Sequence, residues 1–142
     1  METKTATPVK PMPESNSQIV TIQIANQTSA TLSTGKVSLD WGNQINFNSV
    51  SPQSTQNCAF QGQGAQGSAT GVTGSATWTA AVGGQNLGTL TCTFDDPWSG
   101  SNSFSAVGDA TFNANFNVSY PSVPPGGSNW SEMVTITPKS SK

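Results

Sequence analysis

The chain contains no histidine and no arginine, and these absences exclude much catalytic chemistry. Without imidazole, the nucleophile–base arrangements that rely on it cannot be assembled, and histidine-containing zinc sites are excluded too. The two cysteines, Cys58 and Cys92, are too few for an all-thiolate metal site or a disulfide framework. There is no Walker loop and no dinucleotide fingerprint. The glycine-rich run over residues 61–68 (QGQGAQGS) lacks the lysine and the following helix that a phosphate cradle needs, so it reads as a flexible loop. Apolar runs are short: none approaches the length of a spanning helix, and the first fifteen residues, METKTATPVKPMPES, lack the apolar core of a signal peptide.

Charge is scarce as well. Only 8% of the 142 residues are Asp, Glu, Lys or Arg, against the usual quarter. Four of the five lysines, Lys4, Lys10, Lys139 and Lys142, lie near the ends. Between Ser15 and Pro138 the only base is Lys36, facing Asp40, Asp95, Asp96, Asp109 and Glu132. Such a chain has no basic patch to neutralise phosphates, which argues against nucleic acid as a partner. It argues equally against attachment to anionic lipid by charge alone. Contact with a membrane would have to come from aromatics, hydrogen bonds and shape.

What is present is alternation. Val20, Ile22 and Ile24 alternate with polar residues, as do Leu90, Cys92 and Phe94, and period two is the mark of a half-buried strand. Leu32, Val37, Leu39 and Trp41 form a second run, with Gly35 marking a bulge. Ile45 with Phe47 and Cys58 to Phe60 read as short strands. Val72, Gly74, Ala76, Trp78, Ala80 and Val82 share one face of a long strand, and Gly83–Gly84 turns it into a hairpin. Ala110, Phe112, Ala114, Phe116, Val118 and Tyr120 alternate with an asparagine-rich face and are expected to form another strand. Val134 and Ile136 point inward on a last one. Short strands between turn signals predict an all-β, single-domain antiparallel β-sandwich without substantial helix. The expected boundaries are a proline-rich tail over residues 1–16, the sandwich over 17–138 and a short tail over 139–142. Cys92 lies on an inward face, so a buried free thiol and a Cys58–Cys92 bridge are both open.

The most informative stretch is residues 93–104, TFDDPWSGSNSF. Pro97 stops the strand, and Ser99 to Asn102 is turn chemistry, so a hairpin carries Trp98 near its tip. Adjacent Asp95 and Asp96 would point to opposite faces of a continuing strand, which makes them a poor pair for glycoside hydrolysis. None of the acids shows the spacing of a calcium loop. No metal and no cofactor is expected, and the chain is expected not to be an enzyme. Trp78, Phe112 and Phe116 read as core, and Trp41 as core or rim. Trp98 and Trp130, each beside a loop, are candidates for the surface, with Tyr120 joining them at one end of the sandwich. Asn-x-Ser/Thr sequons at Asn26, Asn117 and Asn129 are read as silent in a chain this rich in those residues.

The order Asp95-x-Pro97-Trp98-x-Gly100-Ser101-Asn102-x-Phe104 resembles the signature of the aegerolysin family, above all the small component of bacterial binary insecticidal proteins. The likeness extends over roughly residues 18–138 and includes Gly71-Val-Thr-Gly74 and a late Gly-Gly-Ser-Asn (Gly126 to Asn129). It departs at Asp96, an acid where the family carries an uncharged residue. The resemblance implies a two-sheet fold and a non-enzymatic role in recognising a membrane lipid, a sphingolipid among them. It also implies a larger pore-forming partner protein, with action at target cells such as insect gut epithelium. The chain is then expected to be made soluble and released or secreted. Separately from the resemblance, an exposed strand edge could support a homo-oligomer, of no particular symmetry. The candidate lipid-contacting residues are Asp95, Asp96, Trp98, Asn102, Trp130 and Tyr120. The competing expectation is a lectin-like sandwich that binds carbohydrate by tryptophan stacking and Asn/Asp hydrogen bonds.

Overall fold

Alternating burial runs through most strands of the computed structural model, which describes residues 18–65, 71–121, 124 and 126–139. The strands are β1 (Ile19–Asn26), β2 (Thr31–Trp41), β3 (Asn43–Phe47), β4 (Ser54–Gln63), β5 (Val72–Val82), β6 (Gln85–Asp96), β7 (Ser103–Gly108), β8 (Phe116–Ser119) and β9 (Asn129–Pro138). One short helix, α1 (Ala110–Asn115), precedes β8. The expected N-terminal tail, the expected C-terminal tail apart from Lys139, and most of the glycine-rich run's second half lie outside the described residues.

Two sheets form the sandwich. The first has the order β3-β4-β1-β9-β8 and the second β2-β5-β6-β7. Pairing is antiparallel except between β1 and β9, which run parallel from Ile19↔Asn129 to Asn26↔Ile136. The chain crosses from the second sheet to the first at Gly42, where β2 ends and β3 begins. Its φ of +95° suits glycine and few other residues.

The interior is apolar and rich in aromatic rings. Phe60 of β4 and Phe94 of β6 stack across the sheets with ring centroids 5.0 Å apart. Phe47 meets Trp78 edge-on at 5.4 Å, and the Trp78 indole donates to the Asn48 carbonyl at 2.9 Å, so its one polar atom is satisfied. Val20, Ile22, Ile24, Leu32, Leu90, Val134 and Ile136 complete the core. Cys58 and Cys92 are both free thiols, which decides against a bridge. Cys92 is fully buried, and burial pushes its thiol well above the usual range.

The stretch expected to be one long strand from Ala110 to Tyr120 is helix and then strand. Asp109 caps the helix, accepting from the Phe112 amide at 2.9 Å. Phe112 and Phe116 are four apart, a spacing that fits one face of a helix as well as one face of a strand. Their rings pack at 4.8 Å. The asparagines do not form a ladder: Asn113 donates to the Gly108 carbonyl at 2.8 Å and Asn115 to the Thr111 carbonyl at 2.9 Å. Such local bonds compete with sheet pairing.

Candidate functional site

The strand registers bring one end of the sandwich together. Trp41 pairs with Thr73, Val72 with Asp96, and Asp95 with Ser103. In the other sheet Ile19 pairs with Gln63 and with Asn129. The start of β1, the end of β2, the end of β4, the start of β5, the β6–β7 loop and the start of β9 therefore share this end. β8 runs antiparallel to β9, so Tyr120, just after it, arrives here too. Three of the four tryptophans and the only tyrosine gather at this end.

The Trp98 loop is anchored from below. Gln18, fully buried just before β1, places its Nε2 2.6 Å from the Pro97 carbonyl, 2.9 Å from Asp96 Oδ1 and 3.3 Å from the Asp96 carbonyl. One amide thus ties the first sheet to the end of β6 in the second. Gly71 lies under the same segment: a Cβ there would come within 2.0 Å of the Asp96 carbonyl oxygen. On the far side of the loop, Asn102 donates to the Gly127 carbonyl at 2.9 Å, which holds the loop to the segment before β9. Trp98 itself, on the bend between these two anchors, is half-buried.

Behind the loop, Phe104 packs edge-on against Tyr120 at 5.5 Å and against Trp130 at 6.5 Å. Tyr120 is half-buried. Trp130 is only 3% exposed, which corrects its expected place at the rim. It shares the inward phase of Val134 and Ile136 on β9, and that parity was visible in the sequence. Its Nε1 is buried with no hydrogen-bond partner among the described residues.

Asp95 and Asp96 diverge. Asp96 faces inward and is fully buried, so it braces the turn and does not reach a surface. Asp95 faces outward, half-exposed, and accepts from the Thr73 hydroxyl at 2.7 Å. Glu132, on the inward face of β9 beside Trp130, is 2% exposed and has one carboxylate oxygen without a partner among the described residues. Burial pushes its carboxyl above the usual range.

Of two further residues at this end, Gln18 escaped the sequence reading, while for Trp41 the sequence leaves core and rim both open. Gln18 has the even parity of Val20, Ile22 and Ile24, the only signal that it is inward. Trp41 has the odd parity of Val37 and Leu39, yet is 58% exposed. A register shift between Leu39 and Trp41 turns it to the outer face. Among the described residues no group of three or more His, Cys, Asp or Glu is placed to hold a metal ion. No described helix is long and apolar enough to cross a membrane.

Comparison with known proteins places the fold. No family model matches the chain, and no curated protein resembles it in sequence. Among solved structures, it is similar to the RahU protein in complex with a TRIS molecule, with a TM-score of 0.65 at 18% identity over 89% of this chain and 99% of that one. It is similar to IP-1A from Alcaligenes faecalis, with a TM-score of 0.62 at 19% identity over 91% and 96%. The lipid binding protein Nakanori matches with a TM-score of 0.56 at 8% identity over 84% and 70%. Identities this low carry the fold alone. The two-sheet sandwich expected from the sequence is the fold observed.

Proposed function

We propose that this chain is a non-enzymatic, membrane-recognising protein of the aegerolysin type. In this reading it docks on target-cell membranes with the aromatic end of its sandwich and acts with a larger pore-forming protein, as an insecticidal component released from the cell that makes it. The observation that carries the reading is the Trp98 loop, a half-buried indole on a bend held by Gln18 below and by Asn102 beside it. An amphipathic ring on a rigid mount suits the boundary between headgroup and acyl chain. Support also comes from the fold shared with the lipid binding protein Nakanori and from the residue order Asp95 to Phe104.

Charge has little part in this docking. Of the described bases, Lys36 sits midway along β2 and Lys139 follows β9 at the opposite end, so neither of these two is placed beside Trp98. One aromatic ring contributes on the order of 1–3 kcal/mol on burial, too little for stable attachment alone. Several copies or the larger partner would convert weak contacts into avidity.

The test is co-sedimentation with vesicles of phosphatidylcholine, with and without sphingomyelin or ceramide phosphoethanolamine, combined with dye release. The wild-type chain should sediment and release little dye alone, and release dye when the product of the neighbouring gene is added. Trp98→Ala should keep its circular dichroism and lose about tenfold in vesicle binding, the equivalent of ~1.4 kcal/mol. Undiminished binding by the folded variant removes Trp98 from the site.

A further inference from the structure

Glu132 is an acid in an apolar place. It lies on the inward face of β9, between Trp130 and Val134 in the strand's alternation. Its neighbour on β1 is Ile22, which is paired in turn with Phe60 of β4. On the other flank, the register Ser119↔Thr135 carries on to bring Tyr120 beside Val134. Glu132 is 2% exposed, and its Oε2 has no hydrogen-bond partner among the described residues. An unpaired carboxylate is costly in such surroundings, and the group answers by keeping its proton. Burial accordingly pushes the carboxyl above the usual range.

The elements around it offer no compensation. The inward faces of β1 and β7 carry no titratable side chain, and neither does α1. β6 presents Cys92 and Asp96, and the Asp96 Oδ1 already takes the Gln18 amide at 2.9 Å. Tyr120 follows β8. Of the described bases, neither Lys36 nor Lys139 lies at this end.

The start of β9 also holds the docking end together. Trp130 packs on Phe104, and Phe104 on Tyr120. The Gly127 carbonyl, three residues before Trp130, accepts from Asn102 of the Trp98 loop at 2.9 Å. A charge on Glu132 therefore acts on the mount of Trp98. It draws the carboxylate, and the strand that carries it, toward water. It also leaves a negative charge behind rings that enter lipid. A bilayer laid over this end removes water from it and raises the cost of that charge further.

We propose that membrane docking is coupled to protonation of Glu132, so that the chain attaches in its protonated form and is released as pH rises. This rests on the membrane-docking reading above and names what regulates that site. Linkage fixes the sign. An acid that holds its proton more tightly when docked than when free gives the strongest attachment at low pH, where it is protonated in both states. Attachment falls through the interval between the two titrations and is weakest above both. One proton changes binding by at most about tenfold per pH unit.

The experiment uses the full chain and vesicles of phosphatidylcholine and sphingomyelin, whose headgroups keep their charge across the series. Co-sedimentation is measured from about pH 4 to pH 8. Wild-type binding should weaken as pH rises, at no more than about tenfold per unit. Glu132→Gln carries no charge at any pH and should bind as tightly as the acidic wild type, with a flat profile. Glu132→Leu replaces it, with the same flat profile expected, if the glutamine variant loses the wild-type circular dichroism. In the free wild-type protein the Trp130 indole N–H signal should move with pH in NMR spectra, and in Glu132→Gln it should stay fixed. Wild-type binding that ignores pH overturns the inference and leaves the docking reading standing. So does a pH profile that survives in Glu132→Gln, or a Trp130 signal that does not move in the wild type. No binding at any pH removes the docking reading and this inference with it.

Discussion

A single buried amide governs the geometry of the Trp98 loop. Gln18 Nε2 faces two carbonyls and a carboxylate oxygen, and its removal takes one buried donor from all three. Gln18→Ala should lower stability by about 1–3 kcal/mol, read as a drop in the urea midpoint at unchanged slope. Full stability in the variant would mean that other groups fix the loop. Glu132 makes the opposite case. Its carboxyl is buried beside Trp130, and desolvation raises its folded-state pKa above the unfolded value of roughly 4.3. A raised acid binds its proton more tightly in the folded state, so the stability it contributes is present below about pH 4.3 and is lost as pH rises through the raised value. Glu132→Gln should therefore flatten that fall in a series of denaturation curves taken from pH 4 to 8. A variant with the wild-type pH profile would place the titration elsewhere. At this scale the sequence was half legible. Alternation placed Val134, Ile136 and Cys92 correctly, and the same parity applies to Trp130 and Glu132. The outward turn of Trp41 was hidden, because a bulge resets parity without leaving a mark on the pattern.

Among the elements, the two glycines of Gly71-Val-Thr-Gly74 explain themselves by close approach. A Cβ on Gly74 would sit 2.2 Å from the Ser38 carbonyl, and one on Gly71 would meet the Asp96 carbonyl and Pro97. They let β5 lie tightly against β2 on one side and against the end of β6 on the other. Gly71→Ala should displace the β6–β7 loop and cost more than 1 kcal/mol, as overpacking does; thermal melting measures it. The helix α1 rests on its cap. Asp109→Ala removes the bond to the Phe112 amide and should cost about 1 kcal/mol in urea denaturation, and no change there would show the cap to be idle. The β5–β6 hairpin was readable from Gly83–Gly84 and its flanking alternation. The helix was not, because phenylalanines four apart satisfy both periods and the deciding feature, an aspartate cap, looks in sequence like any loop aspartate.

As a whole molecule, the fold needs neither metal nor cross-link to account for its core, which stacked aromatics and aliphatic residues from both sheets fill. Cys58 and Cys92 are unbridged, so a reductant should leave the melting temperature unchanged; a drop would reveal a disulfide. The architecture followed from period and turns. The gathering of Trp98, Trp130 and Tyr120 at one end was expected as well, but the arrival of Trp41 beside them was not, since it depends on which strand ends the registers bring together. That concentration is the basis for docking end-on to a membrane, and hydrogen exchange on vesicle-bound protein tests it most directly. Exchange should slow over residues 97–102 and at Tyr120 when the chain is bound to sphingomyelin-containing vesicles, and stay as in free protein at the Gly83–Gly84 turn on the opposite end. Protection centred on that turn, or none at the Trp98 loop of fully sedimented protein, would contradict the account.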